Sequence, residues 1–202
     1  MIEIKNITKS FGNKKIFTDF SMTIPNGAFK IFAGKSGCGK TTLLNMIGAI
    51  ESPDSGIITV NGLNIHKRAN TRKYFSEQAG FLFQNFALIE EETVEDNLNY
   101  IQKKHRSGRS MDEILDLLGL LDKKNVEVYK LSGGEQQRIA LARLMFKKCD
   151  IILADEPTGS LDYENADVVM KILHEFNNQG KTIIMVTHDE KIISEEKDVV
   201  RL

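Results

Sequence analysis

Residues 34–41 read GKSGCGKT, and every fixed position of a G-x-x-x-x-G-K-[ST] phosphate-binding loop is filled. Gly34, Gly37 and Gly39 let the backbone wrap tightly and aim successive N–H groups inward at phosphate oxygens. A helix after such a loop adds the partial positive charge of its N-terminus. Lys40 supplies a mobile cation for β- and γ-phosphates, and Thr41 a hydroxyl oxygen for Mg²⁺. The flanks decide the fold. Residues 29–33 form an apolar strand that runs straight into the loop, and residues 41–50 carry a helical pattern.

Working outward, residues 151–162 read IILADEPTGSLD. Four apolar residues make a buried strand, and two carboxylates follow at its C-terminal end, where ligands bind in open α/β sheets. Asp155 is suited to orient Mg²⁺ through its water shell, and Glu156 to act as general base on an attacking water. Asp162 can cap a helix that stops near Gly180, and residues 182–186 form the next strand. Alternating strands and helices predict an α/β fold with a parallel sheet covered on both faces. The first residues differ. Ile2, Ile4 and Ile7 alternate loosely, Gly12-Asn13 signals a turn, and residues 57–62 read as half of a hairpin, which predicts an N-terminal antiparallel β portion. In the middle, Thr93 with Asp96, Ser110 with Glu113 and Ser132 with Glu135 each fit a capping box. The expectation is one domain over 1–202, with a core of 1–84 and 148–202 and a helical lobe inserted at 85–147.

Composition narrows the partners. The chain has 202 residues, enough for one sizeable core. It carries 27 basic and 28 acidic side chains, so it offers no electrostatic footprint for nucleic acid. The cluster Lys103, Lys104, His105 and Arg106 reads as a solvated turn. Cys38 and Cys149 are two isolated thiols, which suggests a reducing compartment. The N-terminus lacks the apolar core of a secretory signal, and no apolar run is long enough to span a bilayer. Membrane association would therefore come through a partner.

Residues 131–143, LSGGEQQRIALAR, resemble the signature motif of ATP-binding-cassette (ABC) ATPases. With GKSGCGKT before it and ADEPTGSLD after it, the order and spacing of the resemblance cover the whole chain. It implies a P-loop NTPase core, ATP and Mg²⁺ as ligands, and ATP hydrolysis. The nucleotide residues it implies are Gly34, Lys35, Ser36, Gly37, Cys38, Gly39, Lys40, Thr41 and Thr42, with Phe11 stacking on adenine where most relatives carry tyrosine. Ser132, Gly133 and Gly134 would face the γ-phosphate held by a second copy of the chain, so that two copies sandwich two ATP molecules head to tail. Asp162 resembles the loop aspartate that crosses this interface. Gln84 is similar to the glutamine that touches Mg²⁺ and the lytic water, alongside Thr41 and Asp155 as metal residues. His188 resembles the switch histidine at the γ-phosphate and joins Glu156 and Gln84 as a catalytic residue.

The segments ADEPTGSLD, SGGEQQR and FQNFALIEEETVEDNL look like the group holding MacB-type exporters, lipoprotein-release ATPases, the FtsE cell-division ATPase and bacteriocin-type exporters. The resemblance implies a separate integral membrane permease, with this chain on the inner face of the cell membrane. Phe86, Leu88 and Ile89, followed by Glu90, Glu91 and Glu92, suit a surface that receives a short amphipathic helix. Two other readings stay open: a soluble ABC ATPase acting on DNA or ribosomes, and a catalytically inactive nucleotide-binding regulator. The first usually carries a coiled coil or tandem cassettes, and the second would not need Lys40, Glu156 and His188 together.

Overall fold

The computed structural model describes residues 1–159 and 161–202. Strands β1 (Ile2–Phe11) and β2 (Lys14–Ile24) form an antiparallel hairpin across Gly12-Asn13. β3 (Phe29–Ala33) leaves that sheet and runs into the glycine loop and α1 (Lys40–Ile47). β4 (Ser55–Val60) and β5 (Leu63–Asn64) rejoin the first sheet, whose order is β2-β1-β4-β5. α2 (Arg68–Lys73) continues as a π-helical turn, Tyr74–Gln78, into β6 (Ala79–Leu82). Helices α3 (Val94–Asn99), α4 (Met111–Leu117) and α5 (Gly133–Phe146) follow before β7 (Ile151–Asp155). The chain ends through α6 (Tyr163–Asn178), β8 (Thr182–Thr187), α7 (Glu190–Glu195) and β9 (Val199–Arg201).

The second sheet is parallel, in the order β6-β7-β8-β3-β9. Its strands are apolar on both faces because both faces are covered. Alternation of side chains sorts them into two cores. Phe32, Ile151, Leu153, Ile184 and Val186 pack with α1 and the antiparallel sheet. Ile31, Ile152, Ala154, Ile183 and Met185 pack with α3, α4, α5 and α6. Fully burying one such side chain contributes about 1.5–3 kcal/mol, so a one-residue slip of a central strand would exchange its whole set between the two cores.

Two details depart from the sequence reading. The helix after the loop stops at Ile47, not at residue 50. Gly48 closes it against the β6 side chain Phe81, where an added Cβ would stand 2.7 Å from the ring. Ser110–Glu113 and Ser132–Glu135 are complete capping boxes, but Thr93–Asp96 is only half of one. Thr93 accepts from the Asp96 N–H, while the Asp96 carboxylate takes the Thr93 hydroxyl at 2.5 Å. Aspartate is one methylene shorter than glutamate, and its carboxylate here stays with the hydroxyl.

Candidate functional site

Register in the parallel sheet assembles the site. Ala33, the last residue of β3, pairs with Thr187 of β8, and Asp155 of β7 pairs with Val186. β8 therefore delivers His188 between the glycine loop and Glu156. Chain order reverses around β3, the place where open α/β sheets hold ligands.

The loop is built from strained backbone that only glycine takes easily. Gly34, Gly37 and Gly39 have φ of 153°, 78° and 108°. At Gly39 a Cβ would come within 2.4 Å of Ile16 Cγ2, so the β2 strand itself closes the loop. Lys40 is 7% exposed, and its ammonium donates to the carbonyls of Gly34 at 2.8 Å and Lys35 at 3.3 Å. Gly39 offers no side-chain cap to α1, so the first N–H groups of that helix stay available to an anion.

Thr41 Oγ1 donates to Asp155 Oδ1 at 3.0 Å. Burial pushes the Asp155 carboxyl above its usual value; the Thr41 hydrogen bond opposes the shift and the Glu156 charge adds to it. Glu156 has φ of 45°, a left-handed conformation rare for glutamate. Its Oε1 accepts from His188 Nδ1 at 2.8 Å, and its Oε2 from the His188 N–H at 3.3 Å.

Lys40, Thr41, Glu156 and His188 open on one cavity of about 1220 Å³; Asp155 is not among its lining residues. It is lined by Phe11, the loop residues 34–42, Gln84, Glu156 and His188. Phe11 is 48% exposed at the end of β1, with the Lys9 ammonium 5.1 Å from its ring centroid. Lys14, Ile16, Glu190, Ile193, Arg201 and Leu202 line it too, and sequence reading missed them. The Phe11↔Lys14 pairing of the first hairpin would have located Lys14, whose ammonium reaches the Gly37 carbonyl at 3.2 Å. Leu202 arrives only because β9 pairs with β3.

The residues fit a Mg²⁺ ion shared with a nucleotide. Thr41 and Asp155 offer hard oxygen donors side by side, the type Mg²⁺ prefers. Among the described residues no group of three or more His, Cys, Asp or Glu could hold a metal alone. Phosphate oxygens and water would have to complete its shell.

Ser132, Gly133, Gly134 and Asp162 do not line this cavity. They form a separate cluster where α5 and α6 begin. Ser132 caps α5, and nothing lies within 4 Å of the space a Gly133 Cβ would take. Arg138 Nη1 donates to Asn165 Oδ1 at 2.6 Å, and the Asn165 N–H donates to Asp162 Oδ1 at 2.9 Å.

Another cavity, of about 790 Å³, lies between α2 and its π-helical turn, β6, the residues that follow α3 and the end of α5. Phe81, Phe83, Ile101 and Leu144 give it an apolar lining; Arg72, Lys73, Lys104 and His105 give it a basic rim. The apolar triad expected to dock a partner is only partly exposed. Phe86 and Leu88 are partly buried against the larger core, and Ile89 alone is clearly exposed, at 41%. Left-handed backbone at Phe86 and Ala87, φ 61° and 49°, turns the chain inward. Arg143 of α5 donates to both carbonyls and pins that turn.

Comparison with known proteins bears on the family and the fold. A family described as "ABC transporter" matches residues 17–159. The chain is 37% identical over 215 residues to the macrolide export ATP-binding/permease protein MacB of Campylobacter jejuni, covering all of this chain and 33% of that protein. The chain thus spans about a third of that relative's length. It is 37% identical over 201 residues to the lipoprotein-releasing system ATP-binding protein LolD of Bacteroides fragilis, covering 95% of this chain and 93% of that one. Among solved structures, the dimeric cassette MJ0796 superposes with a TM-score of 0.87 at 33% identity, covering 100% of this chain and 94% of that one. A dimeric post-hydrolysis state of MJ0796 bound to ADP and Pi matches with the same TM-score of 0.87 at 32% identity.

Proposed function

The chain belongs to the ABC transporter family of ATP-binding proteins, and from that premise we propose that two copies close around MgATP, hydrolyse it and drive a membrane permease. One observation carries the reading: Lys40, Thr41, Gln84, Glu156 and His188 converge on a single cavity with Phe11 at its mouth. In this reading Phe11 stacks on the adenine and the loop N–H groups wrap the phosphates. Lys40 turns from its carbonyls to the β- and γ-phosphates. Thr41 and Asp155, with Gln84, hold Mg²⁺, which when bound offsets charge on the transferring phosphoryl oxygens. Glu156 takes the proton of the attacking water, and His188 holds that carboxylate in place and reaches the γ-phosphate. Each site is completed by Ser132, Gly133 and Gly134 of the second copy, with Asp162 at the same interface; the dimer of the relative MJ0796 supports that arrangement.

The core of 1–84 and 148–202 would hold nucleotide, and the lobe of 85–147 would move with it. Among the described residues no helix is long and apolar enough to cross a membrane, so the permease supplies the anchor and sets the chain on the inner face of the cell membrane. The basic-rimmed cavity is the docking place we propose, because Phe83, which lines it, is the chain neighbour of Gln84, which lines the nucleotide cavity. MacB and LolD favour export or extraction over import. Phosphate release from MgATP tests the enzyme. Glu156→Gln, isosteric but unable to take a proton, should slow turnover by roughly 10²–10⁴ and trap an ATP-bound dimer in size-exclusion chromatography. Near-normal turnover in this variant would remove Glu156 from the role of base.

A further inference from the structure

The turn that carries Glu156 is held from outside its own strand. Its main chain is in the left-handed region, φ 45°, which needs the surroundings to impose it. The Glu156 N–H donates to Val186 O at 3.0 Å, and the Glu156 carbonyl accepts from the Gly159 N–H at 3.1 Å. These bonds fix the turn to β8 and to itself. A third bond comes from α5. Gln137 is 2% exposed, and its Nε2 donates to the buried carbonyl of Pro157 at 2.8 Å. Proline brings no N–H, so this carbonyl is the one main-chain polar group that residue 157 presents. The next residue of α5, Arg138, grips the other end of the same connection through Asn165 and Asp162. Two consecutive side chains of one helix thus clamp both ends of the segment between β7 and α6.

We infer that Gln137 is a positioning residue for Glu156, joining the start of α5 to the turn that aims the carboxylate. The inference rests on the function proposed above, in which the N-terminus of α5 meets the nucleotide of the second copy. Engagement of Ser132 and Gly133 there then reaches, within the same chain, the base of the other site. The Gln137–Pro157 hydrogen bond of each chain couples the two sites of the dimer at the turn of Glu156, and nucleotide binding at the loop of residues 34–41 does not depend on it.

The full-length chain tests this with two variants. Gln137→Met keeps the length and removes the donor. It should leave ATP affinity and KM unchanged, lower kcat by about tenfold to a hundredfold, as a misplaced catalytic group does, and abolish cooperativity in ATP. Gln137→Glu loses the donor when ionised and regains an O–H donor when protonated. Its kcat relative to the wild-type chain should recover as pH falls. Normal kcat and cooperativity in Gln137→Met would overturn the inference. So would a parallel loss of kcat, ATP affinity and melting temperature with no acid recovery in Gln137→Glu, because that pattern belongs to a merely structural bond. If Gln137→Met fails to fold, the pH profile of Gln137→Glu decides alone. Glu156→Gln in the same assay separates the two levels: near-normal turnover there sinks the assignment of the base itself, whereas normal turnover in Gln137→Met sinks only the positioning role.

Discussion

Asp155 has its carboxyl pushed upward chiefly by burial. A carboxyl whose folded value is raised favours folding most below its unfolded value, and that contribution is lost as pH rises through the folded value. Once ionised, Asp155 therefore weighs against the fold, a cost a divalent cation would relieve. Asp155→Asn should raise the melting temperature by a few degrees at pH 7 without nucleotide, and the gain should vanish below about pH 4. Thermal melts across that range check it, and turnover of the same variant should be lost. A lower melting temperature at pH 7 would contradict the assignment. Cysteine gives a second residue-level test. Cys38 is half-buried in the loop and Cys149 is fully buried. An alkylating reagent should modify Cys38 alone, inhibit turnover by its bulk and be blocked by MgATP, as mass spectrometry of the labelled peptide would record. Full activity of protein alkylated at Cys38 would show that the loop tolerates the group.

Among the elements, α4 and α5 begin with the same device, a complete serine–glutamate capping box. Losing such a cap costs about 1 kcal/mol wherever it occurs. This makes a matched pair. Ser110→Ala at α4 should lower stability by that amount in urea unfolding and leave turnover intact. Ser132→Arg at α5 should cost similar stability but abolish hydrolysis, because the new cation fills the open space beside Gly133 that the second copy's phosphate would occupy. Monomer affinity for ATP should survive, since Ser132 is not on the chain's own nucleotide cavity. Loss of that affinity would refute the assignment in trans. The same capping boxes were legible in sequence, where spacing and residue type suffice. α2 and its π-helical turn were not. The run RANTRK has no apolar periodicity, and its anchor is Tyr74, whose hydroxyl donates to the Ile47 carbonyl of a distant helix.

At the scale of the molecule, formal charge is balanced overall but not locally. The net charge of −1 hides a cavity whose rim carries Arg72, Lys73, Lys104 and His105 against one carboxylate, Glu77. Arg72 and Lys104 are exposed, so reversing both charges should leave the fold and basal turnover alone. Co-purification with the permease, and stimulation by it, should fall in Arg72→Glu/Lys104→Glu, most visibly at low salt. Unchanged stimulation would move the docking surface elsewhere. Of the cluster at residues 103–106, read from sequence as a solvated turn, Lys104 and His105 become part of this rim only because the fold brings them opposite α2.

Local chemistry was the part that sequence determined by itself. GKSGCGKT is legible as a phosphate-loop pattern from residue type and spacing alone, although in the fold β2 packs against it at Gly39. IILADE is a buried strand ending in acids because four apolar residues cannot face water. Those two segments, with the alternation of strands and helices, pointed to an α/β fold and to the residues on which the proposed chemistry turns. Tertiary structure decided which of them meet. Placing β8 between β3 and β7 put His188 on Glu156, and pairing β9 with β3 brought Leu202 to the loop. It also turned Phe86 and Leu88 inward and joined Gln137 to Pro157. Strand order and register are long-range properties: a hydrogen bond between residues 20 or 32 positions apart leaves no periodic trace in either segment.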